Sequence, residues 1–153
     1  MSHLNFEDER INFTPLILYV DYIHSLHKEY LIENYENITP VDVTYLMNIF
    51  YNPNFSQKDL SELLFVSESN VTQIIKKLEK NGFITRTPDE KNKSRKILNI
   101  TDEGKIIVFK LIKEMYEWEW EFFKDYSPED VEKFKKMIYD YCQKTVDSLE
   151  QFK

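Results

Sequence analysis

Five helix-start signals are spread along the chain, and together they leave room only for a mainly helical fold. Each is a Ser or Thr whose hydroxyl can accept a hydrogen bond from an unpaired N–H of a first helical turn, and most have an acid three residues later. The five residues are Thr39, Ser56, Ser67, Thr101 and Ser127. Because apolar residues at helical spacing follow each of them, the sequence predicts a helix after each position.

Two further segments complete the predicted order of elements. Residues 6–34 have apolar residues at helical spacing and predict a long first helix, in which Pro15 marks a first turn or a kink. Residues 83–87 and 95–100 are β-branched and strand-like, and the polar segment between them predicts a β-hairpin with a charged tip. The order is therefore one long helix, three short helices, a hairpin and two long helices.

This order is typical of a winged helix-turn-helix with long helices at both ends. We predict a mainly α fold with a small β-hairpin wing. An N-terminal dimerisation helix is expected at 1–36, a winged helix-turn-helix DNA-binding domain at 37–101 and C-terminal dimerisation helices at 102–153. The terminal helices are too apolar to stand alone, so we expect a homodimer in which they pack against a second copy.

Apolar stripes on the last two helices support this arrangement. The first of these helices has a stripe that is predicted to face a core, made of Ile107, Leu111, Met115, Trp118 and Phe122. Aromatic residues are also frequent on the terminal helices, from Phe6 onward, and dimer core is the interpretation that their spacing favours. Cys142 is likewise expected to be buried by packing rather than to act as a redox switch.

Composition excludes several other classes of protein. The chain has two glycines, too few for a phosphate-binding glycine-rich loop, and one cysteine, too few for a disulfide framework or a cysteine-based zinc cluster. No Ser, His and Asp constellation can be assembled, so we expect no enzyme activity, no cofactor and no metal. His24 and His27 share a helical face near Glu33, but histidines that hold no metal are commoner at such positions. No apolar run approaches the ~18 residues of a membrane span, and the acidic first residues lack a signal-peptide core, so a cytoplasmic protein is expected.

The helix that follows Ser67 has the composition of a DNA-recognition helix. Its apolar residues cluster on one side, and the opposite face carries amides, hydroxyls and lysines but no acid. Amide side chains can bond adenine edges, and Lys, Ser and Thr can contact guanine or phosphate. An ordinary solvated helix face is the alternative, and the position of this helix as the second of the turn unit favours the DNA role.

The hairpin tip adds four cations beside that helix, and a mobile charged loop is the alternative to a DNA contact here. The complete set of predicted DNA-binding residues is Ser56, Gln57, Ser67, Ser69, Asn70, Thr72, Gln73, Lys76, Lys77, Lys80, Lys91, Asn92, Lys93, Ser94, Arg95 and Lys96. The whole chain has a formal charge of −7, which is unusual for a DNA-binding protein. Residues 67–96, however, hold eight of the 20 cations and only four of the 27 acids.

The same region resembles the MarR family of transcriptional regulators. The matching motifs are a Ser-x-Ser-x-Val-Thr helix start at 67–72, a Leu-Glu-Lys-x-Gly exit at 78–82 that leads to Arg86, and an aliphatic-Thr-x-x-Gly return at 100–104. The resemblance implies a homodimer that places one recognition helix in each half-site of a pseudo-palindromic operator, with centres about 34 Å apart. It also implies control by a small aromatic or phenolic effector that binds where the dimerisation helices meet the winged domain.

Two positions depart from the family pattern. The Asp-x-Arg of the family's wing falls on Asn92-Lys93-Ser94, and the arginine stands one residue later, at Arg95. The ion pair that orders the wing in the family is therefore expected to be absent. Gln73 stands where relatives often carry Arg, which shifts the expected base preference towards adenine.

The effector site and the overall function complete the predictions. Candidate ligand-binding residues are Tyr19, Tyr22, His27, Tyr45 and Trp118. The favoured function is a DNA-binding transcriptional regulator, as a ligand-responsive homodimeric repressor. The alternative is a winged-helix protein that has lost specific DNA binding and acts through protein contacts.

Overall fold

The computed structural model describes residues 13–151 and contains the predicted order of elements. Three short helices and a two-stranded sheet lie between one long helix and two others. The elements are α1 (Leu16–Asn34), α2 (Pro40–Tyr51), α3 (Gln57–Leu64), α4 (Glu68–Lys80), β1 (Ile84–Pro88), β2 (Lys96–Ile100), α5 (Asp102–Phe123) and α6 (Pro128–Gln151). The mainly α fold with a hairpin wing is confirmed. The predicted start of α1 at residue 6, and Phe6 with it, lie outside the described residues.

The predicted Ser and Thr residues are found at the helix starts. Thr39 and Ser56 each form a complete capping box, in which the hydroxyl accepts from the N–H of Asp42 or Asp59 and that carboxylate accepts from the N–H of the cap residue. Ser67 accepts from the N–H of Asn70 at 3.3 Å. Thr101 and Ser127 accept in the same way, from Gly104 at 3.0 Å and Asp130 at 3.1 Å. Each of these bonds satisfies a donor that has no partner within its own helix.

The hairpin follows directly from the end of α4. Strands β1 and β2 pair antiparallel in a register that runs from Ile84 opposite Ile100 to Pro88 opposite Lys96. The base of the wing is closed by Thr101, whose N–H donates to the carbonyl of Phe83 at 3.0 Å and whose hydroxyl donates to the carbonyl of Gly82 at 2.6 Å. The wing therefore leaves α4 and returns to α5 at a single point.

The described residues divide into two compact units, with the division after Val108, inside α5. The first unit has a core in which side chains from α2, α3, α4 and the sheet are almost fully buried. Leu46, Leu60, Val71, Ile75 and Leu78 have no exposed surface. The predicted domain boundaries at residues 36 and 101 stay predictions.

Much of the apolar surface of the long helices is exposed in the single chain. Of the stripe predicted on α5, Leu111 is buried, but Met115, Trp118 and Phe122 are 45–57% exposed. These three residues are therefore not buried within the single chain, and their predicted place in a core stays a prediction. Cys142 is also exposed, contrary to the packing role expected for it. No helix in the described part of the chain is both long and apolar enough to cross a membrane.

Candidate nucleic-acid interface

Helix α4 presents a polar face to solvent because its apolar residues pack into the core. Val71, Ile75 and Leu78 are fully buried and leave the opposite side of the helix to solvent. Six of the predicted DNA-binding residues are exposed on or before this helix, namely Ser67, Ser69, Asn70, Gln73, Lys76 and Lys80. Their donors and cations lie on one element, whose N-terminus adds a partial positive charge that favours a phosphate.

Thr72 and Gln57, both predicted as DNA-binding residues, bond to other protein groups. The amide nitrogen of Gln57 donates to Oγ1 of Thr72 at 2.8 Å, and its amide oxygen accepts from Nη1 of Arg86 at 3.1 Å. Arg86 also forms a bidentate ion pair with Glu79, with distances of 2.8 and 2.5 Å. These bonds tie α3, α4 and β1 together and neutralise an acid beside the exposed face of α4.

Sequence reasoning about charge did not single out Arg86, whose bonds connect β1 to α3 and α4. The available signal was the family motif itself, in which Glu79 and Arg86 stand at fixed positions on either side of a glycine. Gly82, with φ of +78°, turns the chain between them so that the two side chains meet.

Lys77 is another predicted DNA-binding residue that bonds within the protein. Its Nζ lies 2.5 Å from Oδ2 of Asp42, on α2, and the lysine side chain is 40% exposed while the Asp42 side chain is 1% exposed. The prediction placed Lys77 on the flank of the exposed face. The structure gives its ammonium a carboxylate partner below that face.

The wing has an ordering ion pair, so the expectation that it lacks one is wrong. Nη1 of Arg95 lies 2.7 Å from Oδ2 of Asp89, and Nη2 lies 2.6 Å from Oδ2 of Asp59 at the start of α3. Nη2 also donates to the carbonyl of Asn54 at 2.9 Å. Asp89 and Arg95 lie opposite each other where the hairpin closes, and the N–H of Asp89 donates to the carbonyl of Arg95 at 3.0 Å. The arginine is shifted by one residue from the family pattern, and its partner is therefore an acid that stands earlier in the tip.

These bonds change the ionisation of the groups that make them. The hydrogen bond from Arg95 is the main reason that the pKa of Asp89 is lowered. Burial acts to raise the pKa of Asp59, but hydrogen bonds from Ser56 and Arg95 outweigh it, so the pKa is lowered. Hydrogen bonds to Asp59 and then Asp89 raise the pKa of Arg95. The cation of Arg95 therefore holds the wing against the start of α3, where Ser56 is the buried cap.

The remaining cations of the tip point to solvent. Lys91, Lys93 and Lys96 are exposed, and their ammonium groups have no ion-pair partner among residues 13–148. The backbone that carries them is ordered by Asn92, whose side-chain oxygen accepts from the N–H of Ser94 at 3.2 Å and from its hydroxyl at 2.6 Å. The tip thus holds three available cations on a bonded turn.

The predicted effector residues lie on three helices. Tyr19, Tyr22 and His27 are half-buried on α1, Tyr45 is 4% exposed on α2, and Trp118 is 48% exposed on α5. Burial, and to a smaller extent His24, lowers the pKa of His27, and burial raises the pKa of Tyr45. Among the described residues, no group of three His, Cys, Asp or Glu side chains could hold a metal ion.

An aromatic groove lies elsewhere, between α5 and α6. It has a volume of about 1040 Å³ and includes none of the five predicted effector residues. Its aromatic lining consists of Tyr116, Trp120, Phe123, Tyr126 and Tyr139.

Comparison with known families decides the identity of the central region. The model of the MarR family matches residues 38–96, which include α2, α3, α4 and most of the wing. The chain carries a MarR-family domain. The resemblance found in the sequence motifs is thereby confirmed. The members of this family are transcriptional regulators, which is consistent with the expectation that the chain is not an enzyme.

Individual proteins are similar to more of the chain than the family model matches. The uncharacterized HTH-type transcriptional regulator YybA of Bacillus subtilis is 41% identical over 69 residues, which are 45% of this chain and 46% of that protein. The chain therefore spans about half the length of the curated relatives it matches. The crystal structure of MarR has a TM-score of 0.78 at 25% identity and covers 98% of this chain and 99% of its own. Streptococcus pneumoniae FabT, solved in complex with DNA, has a TM-score of 0.76 at 20% identity, with 92% and 99% covered, and shows the shared fold.

Proposed function

We propose that this MarR-family protein is a transcriptional regulator that binds a pseudo-palindromic DNA operator as a homodimer. The observation that carries the proposal is the acid-free exposed face of α4, from Ser69 to Lys80, beside a wing tip with available lysines. A recognition helix of this kind fits the major groove, and a dimer places two such helices about one helical turn apart. FabT, which shares the fold, was solved in complex with DNA.

The residues of the interface divide into those that contact DNA and those that hold the contacts in place. Asn70 and Gln73 are suited to bidentate bonds with adenine edges, and Lys76 and Lys80 to guanine or phosphate. Ser67 and Ser69 at the start of α4, and the exposed wing residues Lys91, Asn92, Lys93, Ser94 and Lys96, are suited to the backbone. Ser56, Gln57, Thr72, Lys77 and Arg95 are less exposed than these residues and bond to other protein groups, so they form the supporting layer.

The homodimer is supported by the apolar residues that the single chain leaves exposed. On α1 these include Ile17 and Ile23, at 46% and 64% exposure, and on α5 and α6 they include Trp120 and Met137, at 68% and 62%. Exposed apolar surface of this extent is typical of a protein interface. A second copy would cover these residues and would fill the aromatic groove between α5 and α6.

Repression, and its release by a small aromatic or phenolic effector, complete the proposal on the basis of the family resemblance. Tyr19, Tyr22 and His27 lie along one helix, so they are suited to contribute to such a site together. The test is a titration of the protein–DNA complex with phenolic compounds, in which the release of labelled DNA is measured. We expect an effector to lower the affinity for DNA and to bind the free dimer as well. A compound that releases DNA without binding the free dimer would contradict this part of the proposal.

Fluorescence anisotropy tests DNA recognition directly. The full chain is presented with a duplex that it has selected from a random-sequence pool, and with a scrambled duplex, over a series of salt concentrations. We expect preference for the selected duplex and a steep loss of affinity with salt, because bound phosphates release counterions. Failure to select any sequence at low salt would exclude specific recognition.

Two variants separate base recognition from phosphate contact. Gln73→Ala should relax the preference for the selected sequence, since it removes a base contact worth about 1–3 kcal/mol. Lys93→Ala should weaken binding to both duplexes alike and reduce the salt slope by about one. If both variants had the same effect, the division of roles proposed here would be wrong.

The alternative function, a winged-helix protein that acts only through protein contacts, rested on an unordered wing and an acidic chain. The Arg95 contacts with Asp89 and Asp59 remove the first of these arguments. The second is weakened by the excess of cations within residues 67–96. The absence of sequence selection in the anisotropy experiment would restore this alternative.

A further inference from the structure

The pair formed by Lys77 and Asp42 connects the recognition helix to the start of another helix. Lys77 lies on α4, and Asp42 lies in the first turn of α2, 35 residues earlier in the chain. Helices α2 and α4 also pack through apolar side chains, but such packing has little directional preference. An ion pair at 2.5 Å fixes both a distance and a direction.

Asp42 is held rigidly before it meets the lysine. Its Oδ2 accepts from the N–H of Thr39 at 2.7 Å and from the hydroxyl of Thr39 at 2.8 Å, and its own N–H donates to that hydroxyl. The side chain is 1% exposed, so water cannot take over these contacts. The carboxylate is therefore a fixed point to which α4 is attached.

The charge balance of this site depends on Lys77. The second oxygen of Asp42, Oδ1, is buried and has no hydrogen-bond partner among the described residues. A buried carboxylate is unfavourable unless a cation or donors compensate it. The ammonium of Lys77 provides that compensation, which binds it below the DNA-facing surface even though 40% of its side chain is exposed.

The position of Lys77 on α4 relates this attachment to DNA recognition. Gln73 is four residues earlier, so the two side chains are neighbours one turn apart on the same side of the helix. A rotation of α4 about its axis would move both together. Holding Lys77 against Asp42 therefore sets the direction in which the amide of Gln73 points.

We infer that Asp42 and Lys77 are positioning residues for base recognition, which fix the rotation of α4 and thereby determine sequence preference. The inference rests on the proposed function. It differs from the sequence prediction for Lys77, which treated this lysine as a DNA contact. Asp42 has almost no exposed surface, so any effect of Asp42 on DNA binding must act through its neighbours.

The test measures the affinities of variants for the selected and the scrambled duplex at several salt concentrations. Lys77→Met and Asp42→Asn should each reduce the ratio of the two affinities about tenfold, as expected for the misplacement of one bidentate base contact. The salt slope should stay unchanged in both, because no phosphate contact is lost. Lys77→Arg, which can keep the ion pair, should retain the ratio within about twofold.

Lys93→Ala is the control for the opposite behaviour, with a reduced slope and an unchanged ratio. All measurements are made at a temperature where circular dichroism shows each variant to be folded. Because Lys77→Met alone leaves Asp42 uncompensated, the double variant Asp42→Asn with Lys77→Met is measured as well. It removes both charges, so it should be more stable than Lys77→Met yet keep the reduced ratio.

Three results would overturn the inference. One is a salt slope that falls by about one in Lys77→Met, since that would make Lys77 a phosphate contact. Another is an unchanged affinity ratio in folded Asp42→Asn. The third is a double variant whose ratio recovers together with its stability. If the unaltered protein selects no sequence at all, the proposed function fails and this inference fails with it, a result distinct from the other three.

Discussion

At the scale of single residues, both glycines of the chain lie at the base of the wing. Gly82 takes a φ of +78° to turn the chain out of α4. Gly104, in the first turn of α5, faces the backbone carbonyl of Phe83, so that a side chain there would overlap the carbonyl oxygen. The N–H of Thr101 donates to that same carbonyl, and its hydroxyl donates to the carbonyl of Gly82. The base of the wing therefore needs glycine at both positions, at Gly82 because of the backbone conformation and at Gly104 because of the lack of space.

The two reasons predict different costs of substitution. Gly82→Ala should lower the free energy of unfolding by about 1–2 kcal/mol, because the new side chain meets open space and only the left-handed backbone is unfavourable. Gly104→Ala should lower it by more than about 3 kcal/mol, because backbone must move. Urea denaturation of the two variants measures both values. A smaller loss for Gly104→Ala than for Gly82→Ala would contradict this account.

Local chemistry was predictable from the sequence, while long-range pairing was not. The caps at Thr39 and Ser56 depend on residues three positions away, so their capping boxes could be predicted from spacing. Lys77 bonds to Asp42, 35 residues away, and Arg95 bonds to Asp59, 36 residues away, and both of these acids lie on other elements. A helical wheel gives the direction of a side chain but not what lies beneath it. For that reason, reasoning from the sequence predicted that both cations contact DNA.

At the scale of elements, the start of α3 differs from that of α6 in burial. Ser56 is 7% exposed and belongs to a complete capping box, whereas Ser127 caps α6 on an exposed surface. Ser56→Ala should therefore cost about 1–2 kcal/mol of stability, and Ser127→Ala about 0.5–1 kcal/mol. Thermal and urea unfolding compare the two variants. Equal losses would show that burial does not strengthen the cap.

The wing should also show a pH-dependent contribution to stability. Hydrogen bonds from Arg95 help to lower the pKa of Asp89 and Asp59 in the folded state. A carboxylate of this kind stabilises the fold fully above its unfolded pKa of about 4, and the contribution is lost as the pH falls through the lower folded value. We expect the free energy of unfolding to be higher for the unaltered protein than for Arg95→Gln. This difference should be constant between about pH 5 and 7 and smaller below about pH 4.

Urea unfolding at these pH values provides the measurement. Lys93→Gln is the matched control, because Lys93 is an exposed cation of the same tip and has no ion-pair partner among residues 13–148. It should leave stability nearly unchanged at every pH. A difference between Arg95→Gln and unaltered protein that persists at acidic pH would mean that the carboxylates are not its source.

At the scale of the whole molecule, exposed apolar surface predicts the oligomeric state. Ile23, on α1, is 64% exposed. If a second copy covers it, Ile23→Asp should weaken the dimer at least about 100-fold, because both copies lose the burial of an isoleucine. Ser25→Asp, a neighbouring exposed position that is polar already, should change it little. Sedimentation equilibrium measures both, and an unaffected dimer in Ile23→Asp would place α1 outside the interface.

The sequence predicted which helices are apolar, but not which of their residues are buried within one chain. Leu111 and Trp118 belong to one helical stripe, yet only Leu111 is buried. Periodicity reports that a face avoids water, and it does not distinguish between burial within the chain and burial against another copy. The five predicted effector residues stay a prediction for a similar reason, since their types and positions carry no information on shared cavities.

The closed base of the wing has a consequence for how this region can change its length. Thr101 joins the end of the hairpin to its beginning, so residues 84–100 form a loop whose two ends meet. A hairpin of a different size could be exchanged there without altering the start of α5 or the end of α4. Of the contacts described above, such an exchange would have to preserve the Arg95 bonds to Asp59 and Asn54 and the Arg86 bonds to Glu79 and Gln57. We therefore expect a change of length to be tolerated better at the tip of the wing than in the segments that carry Arg86 and Arg95.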